Sequence, residues 1–182
     1  MRRLLILAVG LFATLLVSPA SVARAGSIGL GLYGGESVPV LQDDVDKGTI
    51  YGVRVPVKLV PLFMLEPFYA SSKLGDKTVD IAGISYTRDG FDETSFGLNA
   101  MLSMGGPVSF YPYAGLGSTK LKRTGVESTF TSYDFGFGVG FHVIPKIELH
   151  IRGELQAVVD GGTSRKFGNA TLGVSYSLFS MP

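Results

Sequence analysis

Apolar and polar residues alternate with a period of two along several segments of this chain, and this pattern restricts the folds that it can adopt. A clear example is the segment 147–157, which carries polar groups on one face and apolar groups on the other. The polar face is Glu148, His150, Arg152, Glu154 and Gln156, and the apolar face is Ile147, Leu149, Ile151, Leu155 and Ala157. Successive side chains of a β-strand point to opposite sides, whereas a helix would spread these charges around its circumference. The segment is therefore predicted to be a strand.

The same alternation predicts eight strands and no helix. No apolar stretch after Ala25 approaches the roughly 20 residues that a membrane-spanning helix needs, although mean hydropathy is positive. Apolar character that is distributed over short alternating segments is typical of a transmembrane β-barrel. The eight segments are 28–32, 51–59, 63–70, 96–102, 110–116, 133–141, 147–157 and 170–178.

The connections between these segments alternate between short and long. Short turns surround Pro61, Gly106 and Pro145. Outer-membrane barrels have short periplasmic turns and long external loops, so the chain is predicted to be an up-and-down meander with both ends in the periplasm. In the second long connection, Val79, Ile81 and Tyr86 with a turn at Asp89-Gly90 also allow an external hairpin. The long connections are 36–47, 73–92, 121–128 and 160–166.

Glycine indicates which face points inward. A soluble barrel of the lipocalin type would place the apolar face inside and the polar face in water. A solvated face has no need of small residues, whereas the narrow lumen of an eight-stranded barrel does. The fold predicted is thus an all-β, eight-stranded antiparallel transmembrane β-barrel with a polar interior. The glycines on the polar face are Gly29, Gly31, Gly52, Gly97, Gly115, Gly117, Gly136, Gly138, Gly140 and Gly173.

Aromatic residues of the apolar face lie near the strand ends, as expected for rings at the two membrane interfaces. Toward the long loops these are Tyr51, Tyr69, Phe96 and Tyr133, and toward the short turns they are Phe63, Phe110 and Phe141.

The polar face is predicted to fill the lumen as a packed network with no open pore. Pairing of the sixth and seventh strands across the Pro145 turn is expected to place the glycines of one opposite His150, Arg152 and Glu154 of the other. Its basic members, Arg54, Lys58 and Arg152, are expected to neutralise its acidic ones, because an unpaired charge away from water is costly. The prolines 56, 67 and 112 each remove a backbone donor and are expected at bulges or near the rim. The predicted luminal polar network comprises Arg54, Lys58, Glu66, Asp134, His142, Glu148, His150, Arg152 and Glu154.

The amino-terminal segment has the three parts of a secretory signal. Arg2 and Arg3 precede an apolar run of residues 4–17, and small residues lead to Ala25. We therefore expect a signal peptide at residues 1–25 and one barrel domain at residues 26–182. Without Arg2, Arg3 and Arg24, 13 basic residues face 15 acidic ones, a balance that does not suggest nucleic acid as a partner. The chain has no Cys, which excludes disulfides and thiolate chemistry.

Few residues suggest catalysis. His142 and His150 flank Glu148 in sequence, which is compatible with a metal or general-base site, but we interpret all three as members of the luminal network. No catalytic residue, cofactor or metal is therefore expected. A basic group in the third and fourth long loops is a hypothetical contact for lipopolysaccharide phosphates. It comprises Lys120, Lys122, Arg123, Arg165 and Lys166.

Three segments carry a resemblance to a known family. These are residues 65–69 (LEPFY), 111–117 (YPYAGLG) and 172–179 (LGVSYSLF). With them the chain resembles the outer-membrane β-barrel domain family of small eight-stranded barrels related to OmpA and OmpX, over essentially its whole length after residue 25. The resemblance implies insertion into the outer membrane by the barrel-insertion machinery, which reads a terminal aromatic residue. In this chain Ser180, Met181 and Pro182 follow Phe179.

Three functions agree with this fold. The first is a non-enzymatic barrel in contact with outer-membrane lipid and lipopolysaccharide, with a structural role or an unknown extracellular partner for its loops. The second is a narrow channel or a binder of small apolar molecules, as in OmpW-like barrels. The third is an enzyme that modifies lipid A, which would require a Ser, His and acid group on the outer rim.

Overall fold

The computed structural model describes residues 26–40, 44–81 and 84–180, and the regular elements within these ranges are all β-strands. No helix in this part of the chain is long and apolar enough to cross a membrane. The signal peptide predicted at residues 1–25 lies outside the described residues. The strands are β1 (Ser27–Val40), β2 (Asp46–Arg54), β3 (Val57–Val60), β4 (Phe63–Gly75), β5 (Lys77–Ile81), β6 (Ile84–Arg88), β7 (Asp92–Leu102), β8 (Met104–Gly105), β9 (Val108–Arg123), β10 (Val126–Ile144), β11 (Ile147–Asp160) and β12 (Thr163–Ser180).

Ten of these strands form one antiparallel sheet that closes into a ring. Consecutive strands pair around the ring, β9 pairs with β10, and β1 closes it by pairing with β12. The short strands β2 and β3 share one position because both pair with β1 and β4. Strands β7 and β8 share another, beside β9. The predicted eight-stranded up-and-down barrel is confirmed.

The apolar face of the alternation points away from the lumen. Leu172 is 64% exposed and Phe135 is 56% exposed, whereas Glu66 and Asp134 are buried. A lipocalin-type barrel would show the reverse, so that alternative is wrong. The residues predicted for the aromatic belts lie on the outward face, where Tyr69 of β4 stands beside Phe96 of β7.

Luminal glycines make room for large inward side chains. The predicted register between β10 and β11 is confirmed, since Gly136, Gly138 and Gly140 lie opposite Glu154, Arg152 and His150. A Cβ atom on Gly136 would overlap the Tyr113 ring, and one on Gly173 would overlap the His150 ring. The barrel is narrow enough that a large side chain on one strand requires glycine on its neighbour.

Three of the four predicted long loops are largely strand. Strand β1 continues to Val40, β9 and β10 meet at Thr124-Gly125, and β11 and β12 meet at Gly161-Gly162. Thr124 and Gly125 both have positive φ, as a two-residue hairpin turn requires. Backbone pairing continues past the aromatic belt. There inward side chains such as Leu121 and Phe167 are apolar and buried, and the outward neighbours Lys122 and Lys166 are polar, so the alternation has the opposite sense to that of the membrane-spanning part.

The second long connection contains the external hairpin that was one of its two interpretations. Strands β5 and β6 pair only with each other, from Lys77↔Arg88 to Ile81↔Ile84. The proposed turn at Asp89-Gly90 is wrong, because these residues lie where the chain returns to the barrel. There the Gly90 amide donates to Asp76 at 2.7 Å.

The prolines behave differently from one another. Pro56 lies at the break between β2 and β3, where the chain bends and its carbonyl accepts from Gly29. Pro67 faces this break and accepts from Val55. Pro112 lies inside β9 in an uninterrupted ladder with β10, opposite Phe137, so the expected bulge or rim position is wrong for this residue.

Candidate functional site

A buried ion pair crosses the middle of the lumen. Arg152 of β11 donates both terminal nitrogens to Glu66 of β4, at 2.6 and 2.8 Å, and both side chains are almost fully buried. This two-bond geometry is the strongest arrangement for such a pair. Arg54 lies with its guanidinium carbon 3.8 Å from the centre of the Tyr33 ring. Together these side chains obstruct the centre of the barrel.

The luminal carboxylates of Glu148 and Glu154 accept hydrogen bonds from neutral donors, which corrects the expectation that Arg54, Lys58 and Arg152 neutralise them. Glu148 accepts from Ser109 at 2.9 Å and from Tyr111 at 2.5 Å. Glu154 accepts from Tyr113 and Asn169, each at 3.0 Å. Asp134 is fully buried, and neither of its carboxylate oxygens has a hydrogen-bond partner among the described residues. Among the described residues, Glu66 is therefore the predicted luminal acid that forms an ion pair with an arginine.

The two histidines do not form a joint site. His150 is buried and its Nε2 lies 3.1 Å from the Ser175 hydroxyl. His142 is exposed at the periplasmic end, where it lines a cavity of about 260 Å³ together with Lys58 and Glu148. Among the described residues, no three His, Cys, Asp or Glu side chains are placed to hold a metal ion.

A second polar network lies above the central pair and was not predicted from the sequence. The Ser95 hydroxyl is 2.8 Å from that of Thr119, donates to Glu93 at 3.0 Å, and accepts from Gln156 at 3.2 Å. The signal was available, since Glu93 and Ser95 alternate with outward residues of β7 as the recognised luminal residues do. The same alternation would have identified five further inward-facing residues, which are Tyr33, Asn99, Tyr111, Tyr113 and Asn169.

An apolar cluster closes the outer mouth of the barrel, and we call it the outer cap. Its members come from β4, β9, β11, β12 and the segments before β2 and β7, and Phe130 packs against them. Above it, Asp44 accepts from Arg165 at 2.9 Å and from Arg123 at 3.4 Å. Both guanidinium carbons lie 4.6 Å from the centre of the Phe91 ring, a favourable cation–π distance. The cap residues are Val45, Leu74, Phe91, Leu121, Val158 and Phe167.

The five basic residues predicted to contact lipopolysaccharide fall into two groups. Strand alternation places Arg123 and Arg165 on the inward side, where they bind Asp44. Lys120, Lys122 and Lys166 are on the outward side. In the same outward row Lys73 of β4 lies beside Asp92 of β7, which lies beside Lys122 of β9. We call Lys73, Lys120 and Lys122 the rim lysines.

Ion pairs at the rim shift the pKa values of exposed side chains. The ammonium of Lys120 lies 2.6 Å from Glu127, and its hydrogen bond and charge lower the pKa of that carboxyl. Lys47 donates to Glu36 at 2.7 Å, and this bond raises the pKa of Lys47. Both pairs are exposed to solvent, so they are screened by salt and contribute little to stability.

A closed ring of eight antiparallel strands, with a lipid-compatible exterior and a packed polar interior, defines a transmembrane β-barrel. The sequence model of the outer membrane protein beta-barrel domain matches residues 5–177. The chain therefore belongs to this family, which implies a location in the outer membrane.

Solved structures of outer-membrane barrels have a similar fold. Neisserial surface protein A is 16% identical with a TM-score of 0.63, over 87% of this chain and 100% of that one. The amino-terminal barrel of Pseudomonas aeruginosa OprF is 15% identical with a TM-score of 0.56, over 86% and 100%. Ail of Yersinia pestis is 17% identical with a TM-score of 0.50, over 84% and 97%. At these identities the similarity concerns the fold. A comparison with curated proteins found no match.

Proposed function

We propose that this chain is a non-enzymatic outer-membrane protein that acts at the cell surface through its extracellular strands and hairpin, with a lumen that does not conduct. The observation that carries the proposal is the contrast between the two parts of the outer end. The outer cap seals the lumen with six buried apolar side chains, whereas β5 and β6 project as a separate sheet.

The packed lumen argues against the channel alternative. An ion crossing it would have to pass the outer cap and then the Arg152–Glu66 pair, both of which are buried. A binder of small apolar molecules would need an apolar cavity, whereas the periplasmic cavity has a mixed lining, in which the charged groups of Lys58 and Glu148 lie among apolar side chains such as Met64. An enzyme of the lipid A type would need histidine at the outer rim, and both histidines lie elsewhere.

The hairpin is the element that we propose as the surface contact. One of its faces carries Val79 beside Tyr86 and, farther out, Ile84, while the opposite face carries Thr78 beside Thr87. Tyr86 and Ile84 are exposed. Exposed apolar groups clustered on a projecting element are typical of protein contact sites. Among proteins of similar fold, Ail is an attachment invasion locus protein, and one structure of it holds the heparin analogue sucrose octasulfate.

Site-specific photocross-linking on intact cells tests the hairpin. We would place a benzoylphenylalanine at position 86 and, as a matched control on the opposite face, at position 87. A discrete cross-linked product from position 86 alone is expected. Equal labelling from both positions, or none from either, would contradict a contact through this face.

Planar-bilayer recordings of the purified protein test the proposal that the lumen does not conduct. Steady single-channel current steps would refute it.

Contact with lipopolysaccharide is a second proposed role, and the rim lysines favour it. They are exposed, point outward and lie above the level of Tyr69 and Phe96 on neighbouring strands. Ammonium groups at this height would meet the phosphates of the outer leaflet. The inward-facing Arg123 and Arg165 are bound to Asp44 above the outer cap.

The inward arginines serve as a control for the outward rim lysines. The variant Lys73→Gln with Lys120→Gln and Lys122→Gln should copurify with less lipopolysaccharide per barrel, measured as phosphate after extraction in mild detergent. The variant Arg123→Gln with Arg165→Gln should retain the wild-type amount. If the two variants retain equal amounts, the rim lysines do not have this role.

Export and insertion complete the proposal. The segment 1–25 would direct export and be removed, and the insertion machinery would recognise the last strand, β12, which carries Phe179 near its end. Phe179 is exposed and pairs with Ile28. Mass spectrometry of the protein from outer membranes should find Gly26 at the amino terminus, and an intact segment 1–25 would disprove cleavage.

A further inference from the structure

The cavity at the periplasmic end has basic side chains on opposite sides of the barrel. Lys58 belongs to β3, His142 lies near the end of β10, and Lys146 lies in the turn between β10 and β11. Around the ring, β4, β7 and β9 separate β3 from β10 on one side, and β1, β12 and β11 separate them on the other. The two lysines therefore approach the cavity from opposite walls.

The wall of this cavity leaves the basic groups without a counter-charge. The side chains of Lys58, His142 and Lys146 have no hydrogen bond or ion pair with another described residue. Glu148 is the acid among the described lining residues, and its carboxylate already accepts hydrogen bonds from two neutral hydroxyl groups. Basic groups that converge on a partly enclosed space attract anions from solution.

The remaining lining indicates which anion fits. Ser27, Ser103 and Ser177 contribute hydroxyl groups, and Met64 and Ile147 contribute apolar surface. No described residue of the lining is an arginine, so the flat two-bond grip that suits a carboxylate is not available, whereas lysine binds phosphate as a point charge. The volume of about 260 Å³ is much larger than one water molecule needs and is close to the lower end, about 300 Å³, of small-molecule sites.

We propose that this cavity binds a small organic phosphate from the periplasm. The phosphate group lies between Lys58 and Lys146 and accepts further hydrogen bonds from serine hydroxyls, and the organic part packs against Met64 and Ile147. This site is independent of the surface contact proposed for the hairpin, because the two lie at opposite ends of the barrel.

Isothermal titration calorimetry of the full barrel, refolded in a non-ionic detergent at low salt, tests the site with glucose 6-phosphate as the probe. Glucose 6-phosphate should bind, and glucose, which lacks the phosphate, should not. Lys146→Gln in the exposed turn and Lys58→Gln should each weaken binding about tenfold or more, because each removes a hydrogen bond between charged groups. Lys166→Gln, at the outer end, should bind like the wild type.

The heat-dependent shift on SDS gels verifies that each variant is a closed barrel before titration. Absence of binding to the wild type, or equal binding by all three variants, would overturn the proposal. Binding of glucose as tight as that of glucose 6-phosphate would overturn it as well, because the phosphate would then contribute nothing.

Protection of a single cysteine locates the bound molecule, because the natural chain has no Cys. Ser103→Cys places a thiol in the cavity wall, and glucose 6-phosphate should slow its modification by a thiosulfonate in the refolded protein. Addition of Lys58→Gln should remove this protection. Thr129→Cys, on the exposed outward side of β10, should react at the same rate with and without the probe. Slowing at both positions, or at neither, would contradict binding in this cavity.

Discussion

At the scale of single residues, size matters in this lumen as much as polarity. Gly136 faces the Tyr113 ring so closely that a Cβ atom would overlap it. Gly153 of β11 points outward, where an added Cβ meets nothing within 4 Å. Two glycines in neighbouring paired strands therefore have very different tolerance to the same methyl group.

We expect Gly136→Ala to lower the free energy of unfolding by about 1–3 kcal/mol, which is the usual cost of overpacking a filled interior. Gly153→Ala should leave the free energy of unfolding unchanged or raise it slightly, because alanine lowers the conformational entropy of the unfolded chain. Urea unfolding in detergent micelles measures both variants. Equal losses would show that Gly136 is not confined by Tyr113.

The Arg152–Glu66 pair leads to a second residue-scale expectation. Arg152→Met leaves the carboxylate of Glu66 buried without its partner, which typically costs about 3–5 kcal/mol. Removing both charges, as Glu66→Gln with Arg152→Met, should recover much of that loss. Lys47→Met, which breaks the exposed pair with Glu36, should produce no measurable change in the same unfolding experiment. A single variant as stable as the double one would argue against a strong central pair.

At the scale of elements, the barrel and the hairpin are separate units. Apart from the short β8, the ring strands each pair with at least two others, whereas β5 and β6 pair only with each other. The hairpin is anchored at its base, where Asp76 binds the Gly90 amide and Asp89 accepts from Thr124 at 2.8 Å. Barrel stability should therefore depend on that base and not on the projecting strands.

Replacing residues 78–87 by Asn-Gly joins the paired residues Lys77 and Arg88 with a favourable two-residue turn. The shortened protein should keep the heat-dependent shift of a closed barrel on SDS gels and the wild-type urea midpoint. Asp76→Ala is the contrasting variant, because it removes the anchor at the base and should lower the midpoint. Loss of the gel shift on shortening would mean that the hairpin supports the ring.

At the scale of the whole molecule, the two ends of the lumen differ. The periplasmic end opens into a cavity of about 260 Å³, whereas the outer end is sealed by apolar side chains and crowned by Asp44, Arg123 and Arg165. Solvent should thus reach the interior from the periplasm more readily than from the cell surface.

Cysteine labelling tests this asymmetry, because the natural chain has no Cys. Thr119→Cys lies buried among the upper polar network and should resist an impermeant thiosulfonate applied to intact cells. Adding Phe91→Ser and Phe167→Ser should open the outer cap and allow labelling. Thr129→Cys, on the exposed outward side of β10, should be labelled in both backgrounds. Rapid labelling of Thr119→Cys under an intact cap would show that the mouth is open.

The alternation of side chains predicted eight strands in an antiparallel ring, and the glycines on the polar face predicted the inward face and the register of Gly138 against Arg152. This is because a barrel in lipid must satisfy every backbone group within the sheet and be apolar on one side only. Where those constraints end, prediction fails. Residues 36–40 and 121–128 lie beyond the aromatic belt, where strands continue but the outward face is no longer required to be apolar.

Partner choice inside the lumen was decided by the tertiary structure. The sequence identified Arg152 and Glu66 as inward-facing but did not indicate that they pair across the barrel, or that Asp134 has no basic partner. It also suggested one basic surface, whereas a difference of one position along β9 directs Arg123 inward to Asp44 and leaves Lys122 on the outward rim. Side-chain periodicity determines which face a residue occupies, but ring closure and strand stagger determine which residues from distant strands meet at the same height.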